Sequence, residues 1–296
     1  MTLQGADILS AAQFSREQIE AIHARADTFA SGGRSRLLDG KLLATIFYEP
    51  SVRTRALFQA AMQKLGGAVI DVAPHPGESL RDTIASVAQI ADIIVLRHAD
   101  IGAAQIAADA SGVPVLNAGD GTGENPVQAL VDVYTLIKEK QSLDGLRVAL
   151  AGDLKNDPAA HSLTRVLRLY RVDFSLIAPA ALAMPPEITD FLRERDLLVE
   201  ETNDFARTLR YADVVYMTRV RKEKIAEVKQ YEKLKSFSIL TRTLIEQAKP
   251  NLLVMHPLPR ADEIAGEVDA LPNAAYLRQV RRATFVYMAL LAEILQ

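Results

Sequence analysis

Short apolar runs alternate with amphipathic stretches along nearly the whole chain, and this alternation constrains the fold more than any other feature. The runs Leu42–Phe47, Ala68–Val72, 92–97 and 113–117 read as strands, and so do 147–152, Asp173–Ile177, 197–200, Val214–Met217 and 252–256. They are short and rich in Val, Ile and Leu, as strands buried on both faces are. Residues at helical spacing fill the gaps, for example 80–91 and 126–139. The pattern predicts an α/β chain with doubly wound parallel sheets covered by helices on both faces. Four runs precede the helical stretch around 127–140 and five follow it, so we read two domains joined by that helix. A last apolar helix, 283–295, is expected to return to the first domain. The first domain is then residues 1–135 with 284–296, and the second is 136–283.

A chain of 296 residues suits two such domains. Hydrophobic content of 49% with 24% charged residues is ordinary for a globular protein. The net charge of -3 argues against a nucleic-acid surface, which would show as a basic excess. No apolar run reaches the roughly 20 residues that cross a bilayer. Residues 1–10 carry no basic stretch ahead of an apolar core, so no secretory signal and a cytoplasmic location are expected. The absence of cysteine excludes disulfides, thiol nucleophiles and thiolate metal sites. His23, His75, His98, His161 and His256 do not stand at ligand spacing from one another, and no HExxH or calcium loop occurs. No metal is expected. Neither GxGxxG nor a Walker loop is present, so no nucleotide cofactor is expected either.

The run Phe47-Tyr48-Glu49-Pro50-Ser51-Val52-Arg53-Thr54-Arg55 closes the first strand and opens a helix whose apolar face is Leu57, Phe58, Met62 and Leu65. First-turn amides and the helix dipole favour an anion there, and Arg53 and Arg55 add forked donors. The plainer reading is a helix start capped by Ser51 with two solvated arginines. Polar clusters also follow other strands: Arg97 with His98, Asn117 through Gly121, Asp153-Leu154-Lys155, Thr218-Arg219-Val220-Arg221, and His256-Pro257-Leu258-Pro259-Arg260. Ligands of open α/β sheets bind beyond the carboxyl ends of strands. Together the clusters predict an arginine-rich cleft between the domains, suited to a small polyanion such as a phosphate with carboxylates.

These residues resemble a known family. FYEPSVRTR is similar to the FxEPSTRTR motif of the carbamoyltransferases. NAGDG, NPVQAL, GDLK, HSL, YMTRVRKEK and HPLPRADEI follow in family order, and YMTRV and HPLPR with its DEI point to the aspartate branch. The resemblance spans essentially the whole chain. It implies two α/β domains, one for carbamoyl phosphate and one for aspartate. It also implies a homotrimer, carbamoyl transfer to the aspartate amine in pyrimidine biosynthesis, and no cofactor. Dihydroorotase or regulatory chains are partners that it leaves open.

Residue by residue, the resemblance implies that Ser51, Arg53 and Thr54, with the Val52 amide, hold the phosphate. Arg97 reaches the phosphate and the carbamoyl oxygen, and Gln128 meets the carbamoyl amide. Arg219 takes the acceptor's side-chain carboxylate. Pro257 and Leu258 offer backbone carbonyls, and Glu49 braces the closed domains.

Four departures fall inside this pattern. Val52 replaces a threonine. Asn125 stands where the family has a histidine that donates to the carbamoyl oxygen. Pro158, preceded by Asp157, replaces an arginine that grips the acceptor's α-carboxylate, and proline has no donor. The loop at 73–78 is too short to carry the family's serine and lysine to a neighbouring subunit. Removing one donor to a developing oxyanion costs about 3–4 kcal/mol, and losing an arginine–carboxylate contact costs about 2–5 kcal/mol. Transfer to aspartate is therefore expected to be impaired or altered, with the chain binding anions, catalysing poorly and serving as a structural partner in a pyrimidine-pathway assembly. The alternatives are an active enzyme in which Arg221, where the family has glutamine, and Asn125 compensate, or a transcarbamoylase for another acceptor.

Overall fold

The computed structural model describes residues 2–32, 35–237 and 239–296. The chain divides into two compact units, Met1–Tyr134 with Val280–Gln296, and Thr135–Gln279. It leaves the first unit within one helix, Pro126–Lys140, and re-enters it within another, Tyr276–Leu295.

In the first unit the strands are β1 (Leu42–Phe47), β2 (Ala68–Val72), β3 (Ile93–His98) and β4 (Val115–Asp120), all parallel in the order β2-β1-β3-β4. Its helices are α1 (Arg16–Gly32), α2 (Val52–Lys64), α3 (Leu80–Val87), α4 (Ala103–Ala110) and the start of α5 (Pro126–Lys140). Ala44, Ile46, Ile94 and Leu96 are buried together with Ile84 of α3 and Ala107 of α4. This burial is why β1 and β3 read as continuous apolar runs.

In the second unit β5 (Arg147–Ala151), β6 (Asp173–Ile177), β7 (Leu198–Thr202), β8 (Val214–Met217) and β9 (Leu253–Met255) form a parallel sheet in the order β7-β6-β5-β8-β9. The helices are α6 (Pro158–Leu167), α7 (Pro186–Arg193), α8 (Phe205–Leu209), α9 (Val228–Lys235), α10 (Arg242–Glu246) and the first turn of α11 (Tyr276–Leu295). Ala149, Val215, Met217 and Val254 of the sheet pack with Leu209, Ile245 and Tyr276. The parallel two-sheet architecture expected from the sequence is the one observed.

Several boundaries differ from expectation, each for a local reason. β4 runs from 115 to 120 rather than 113 to 117, because Pro114 has no N–H for the ladder and pairing with β3 continues past a register shift at Leu96/His98. α3 ends at Val87, where the chain turns, not at 91. α11 begins at Tyr276, well ahead of 283, because Arg278, Gln279, Arg281 and Arg282 interrupt the apolar signal of its first turns. β7 reaches Thr202 through polar edge positions that the apolar pattern passes over.

Each sheet reverses its winding once, between β1 and β3 in the first unit and between β5 and β8 in the second. Crevices at such reversals are where α/β sheets bind ligands.

Candidate functional site

In the first unit the reversal is flanked by the start of α2 and the end of β3. Phe47 is in register with Arg97. Ser51 is the N-cap of α2, yet its hydroxyl makes no capping bond and instead lies 3.0 Å from Thr54 Oγ1. The reading of Ser51 as a capping side chain is thus corrected. Arg55 N–H is the first to close a helical bond, onto the Ser51 carbonyl at 3.1 Å. The amides of Val52, Arg53 and Thr54 precede it and have no intrahelical acceptor. The Val52 side chain is 83% exposed, so its missing hydroxyl leaves the turn's backbone unchanged.

The two arginines of α2 differ. Arg55 pairs with Asp71 at 3.0 Å and lies over the Phe47 ring. Arg53 is half-buried and has no hydrogen-bonding or ion-pair partner among the described residues. Burial pushes its guanidinium below the ordinary value, opposed by Tyr287, and it remains charged. A half-buried cation beside open amides is suited to an anion.

Arg97 is held at both ends. Its Nη1 donates to the Ala118 carbonyl at 2.9 Å, and its Nη2 lies 3.2 Å from Glu49 Oε2. Glu49, which sequence reasoning assigns to bracing the domains, is thus engaged within its own unit. Gly119 makes this placement possible: its φ is +125°, and a Cβ there would fall 2.4 Å from Arg97 Nη1. Asn125 caps α5, its Oδ1 accepting from Gln128 N–H at 3.3 Å. The Gln128 side chain donates Nε2 to buried Asp132 at 2.7 Å, which presents Oε1 as the acceptor that a carbamoyl NH2 needs. The shortened loop turns at Gly77, and the Glu78 carboxylate accepts from Thr83 Oγ1 of α3 at 2.8 Å. His75 and Arg81 are exposed.

In the second unit the segments after β5 and β8 flank the reversal. Gly152, at φ +115°, lets the two pass closely, since a Cβ there would lie 2.3 Å from the Thr218 carbonyl oxygen. Buried Asp153 ties the segments together. Its Oδ2 accepts from Arg221 N–H at 3.2 Å, and its Oδ1 accepts from Asn156 N–H at 3.1 Å. Burial raises the Asp153 carboxyl above its ordinary value, and these bonds offset part of that. Arg219 pairs with Glu223 at 3.2 Å.

Asp157 is the N-cap of α6, and Pro158 is its first residue. Oδ1 of Asp157 accepts from both Ala159 N–H and Ala160 N–H at 2.9 Å. The anion-attracting end of α6 is therefore filled by the protein's own carboxylate, and Pro158 contributes no donor.

After β9, Leu258 has φ +52° and is followed by a cis peptide to Pro259. Its N–H donates to His256 Nδ1 at 2.7 Å, so the imidazole proton sits on Nε2, 2.6 Å from Glu263 Oε1. Burial works to raise the Glu263 carboxyl, but bonds from His256 and Ala261 outweigh it and hold the group below its ordinary value. This pair fixes the turn that carries the Pro257 and Leu258 carbonyls. Sequence reasoning missed the roles of Gly119, Gly152 and Glu263. A glycine at the carboxyl end of a strand, just before a polar residue, was the available signal for the first two.

Among the described residues no cluster of acidic residues and histidines could hold a metal, and no helix is long and apolar enough to cross a membrane.

Two parallel sheets, each with polar segments at its reversal, describe a two-unit α/β fold with a candidate ligand crevice in each unit. Residues 6–138 match the carbamoyl-P binding domain of aspartate/ornithine carbamoyltransferases, and residues 144–294 match their Asp/Orn binding domain, so the chain belongs to that family. Among its relatives is the aspartate carbamoyltransferase catalytic subunit of Thermococcus onnurineus, 42% identical over 98% of this chain and 97% of the relative. The multifunctional protein pyr1-3 of Dictyostelium discoideum is 41% identical over 98% of this chain, which spans 14% of that relative's length. The aspartate transcarbamoylase of Trypanosoma cruzi in complex with N-(phosphonacetyl)-L-aspartic acid superposes with a TM-score of 0.94 at 36% identity, covering 99% of this chain and 97% of that one.

Proposed function

We propose that the chain binds carbamoyl phosphate through Ser51, the α2 amides, Arg53, Thr54, Arg97 and Gln128, and that it transfers the carbamoyl group to L-aspartate slowly. The contrast between two helix starts carries this reading. Among the described residues, nothing accepts from the first-turn amides of α2 and Arg53 beside them has no ion-pair partner, whereas α6 opens with Asp157 already seated on its amides. Arg219, here paired with Glu223, and Arg221 supply the cations for an acceptor carboxylate by exchanging partners, and Pro257 and Leu258 supply carbonyls. By the family's habit the working form is a cytoplasmic homotrimer, to be checked by sedimentation of the purified protein.

The test follows carbamoyl-aspartate from purified protein, carbamoyl phosphate and aspartate. Turnover of roughly 1 s⁻¹ or faster, the low end for ordinary enzymes, removes the slow-aspartate reading. It favours a second one, in which Arg221, close after Arg219 on the same loop, receives the carboxylate that Pro158 does not. Under that second reading Arg221→Gln abolishes the turnover.

A further inference from the structure

We infer that Asp132 is a positioning residue of the donor site: it locks the Gln128 amide with its oxygen outward, and so makes the chain select an acyl phosphate whose acyl group carries NH2 rather than CH3. This rests on the donor-binding reading above and deepens it. From Asn125 to Leu136 the chain is buried except at Gln128, which is half-buried. Asp132 follows four residues later, on the same face of α5, and is fully buried. A carboxylate offers only acceptors, so the Gln128 amide has to turn its nitrogen inward. Nε2 donates to Asp132 Oδ1 at 2.7 Å. Oε1 is thereby fixed as an outward acceptor, and the Gln128 N–H is held at its root by Asn125 Oδ1 at 3.3 Å.

The same carboxylate is tied to the anion site of its unit. Tyr287 of α11 stacks on Phe58 of α2, with ring centroids 4.0 Å apart. Burial pushes the Tyr287 phenol above its ordinary value, Asp132 adds to this, and Arg53 opposes it. One buried ring thus feels both the cation of the phosphate grip and the carboxylate behind Gln128. Carbamoyl phosphate and acetyl phosphate have nearly the same shape and differ as NH2 and CH3. The first gives Oε1 a donor, and the second leaves that acceptor without one. Asp132→Asn keeps the size of the side chain but removes the lock, because an asparagine amide donates as well as accepts. Gln128 is then free to turn its own nitrogen outward.

The experiment measures by calorimetry the affinity of the full chain for carbamoyl phosphate, acetyl phosphate and inorganic phosphate. It compares the wild type with Asp132→Asn, Gln128→Met and the double variant. The wild type is expected to bind carbamoyl phosphate about tenfold or more tightly than acetyl phosphate. In Asp132→Asn that ratio should fall toward one, with inorganic phosphate bound no more weakly. Gln128→Met should lower the ratio as well, and adding Asp132→Asn to it should change nothing further. A purely structural role weakens all these ligands together and leaves the ratio unchanged, which overturns the inference, as does a second loss in the double variant. If Asp132→Asn does not fold, NMR of the wild type decides. The Gln128 side-chain N–H signals are assigned by their absence in Gln128→Met, and one of them should be protected from solvent exchange with and without carbamoyl phosphate. An unprotected amide overturns the inference. Equal wild-type affinities for the two acyl phosphates overturn it while leaving the phosphate grip intact. No binding of any of these ligands overturns the donor-binding reading as well.

Discussion

The two units solve the same geometrical problem and treat an anion in opposite ways. Each has a parallel sheet that reverses its winding once, and each sends a strand into a helix beside that reversal. After β1, the helix opens with bare amides and Arg53. After β5, it opens with Asp157 and Pro158. The difference is a few side chains on a shared architecture, and it teaches that a helix start is an anion site only while the chain leaves it unfilled. The first unit leaves it unfilled at α2, and the second fills it at α6.

The strongest way to break this comparison is Arg53→Ala. Removing a half-buried guanidinium from an anion site is expected to weaken carbamoyl phosphate binding by about 2–5 kcal/mol, measured by calorimetry. An unchanged affinity would mean that the α2 start is not the phosphate grip.

A pair of glycine substitutions sharpens the contrast. Both glycines have positive φ, so alanine strains the backbone at either place. Gly152→Ala also drives a Cβ against the Thr218 backbone carbonyl, and is expected to cost about 3 kcal/mol in a denaturant titration. Gly119→Ala meets the end of the Arg97 side chain instead. It is expected to cost about 1–2 kcal/mol in stability, but to lower phosphate affinity as well because Arg97 must move. Equal stability losses, with phosphate affinity untouched, would contradict the account.

Glu263→Gln tests the support of the Leu258 turn and is expected to destabilise by about 1–2 kcal/mol at neutral pH. The Glu263 carboxyl is held below its ordinary value of 4.5, so its contribution is present above that value and is lost as pH falls through the lower, folded-state value. The variant should therefore show a flatter acid limb in thermal melts taken as a function of pH. The smallest effect is Val52→Thr. With that side chain open to solvent, a new hydroxyl should improve phosphate affinity by less than about 1 kcal/mol.

Local pattern made much of this legible. β1, β6 and β8 fall where their apolar runs do, because parallel strands buried on both faces leave an unbroken signal, and the edge strand β2 matches its run too although it is partly exposed. The strand-to-helix turn at Ser51–Thr54 was legible for a related reason, since its polar residues fall within four consecutive positions directly after an apolar run. What escaped depends on partners distant in sequence. Glu49 meets Arg97 only because Phe47 and Arg97 share a register, and Gly119 matters only because Arg97 lies against it. Asp157 was visible as a misplaced charge. Its seat on the Ala159 and Ala160 amides required knowing that α6 begins at Pro158, although an aspartate followed by proline is itself a helix-start signal. The start of α11 was hidden because arginines break its apolar face.

The most direct test of the central claim titrates the protein with carbamoyl phosphate in a calorimeter, then titrates the saturated protein with succinate, a dicarboxylate without an amine. The expected result is saturable heat from carbamoyl phosphate and none from succinate, the donor half working and the dicarboxylate half closed. Saturable succinate binding that survives Arg221→Gln would contradict it, because the second carboxylate would then have a receptor that Asp157 and Pro158 should deny.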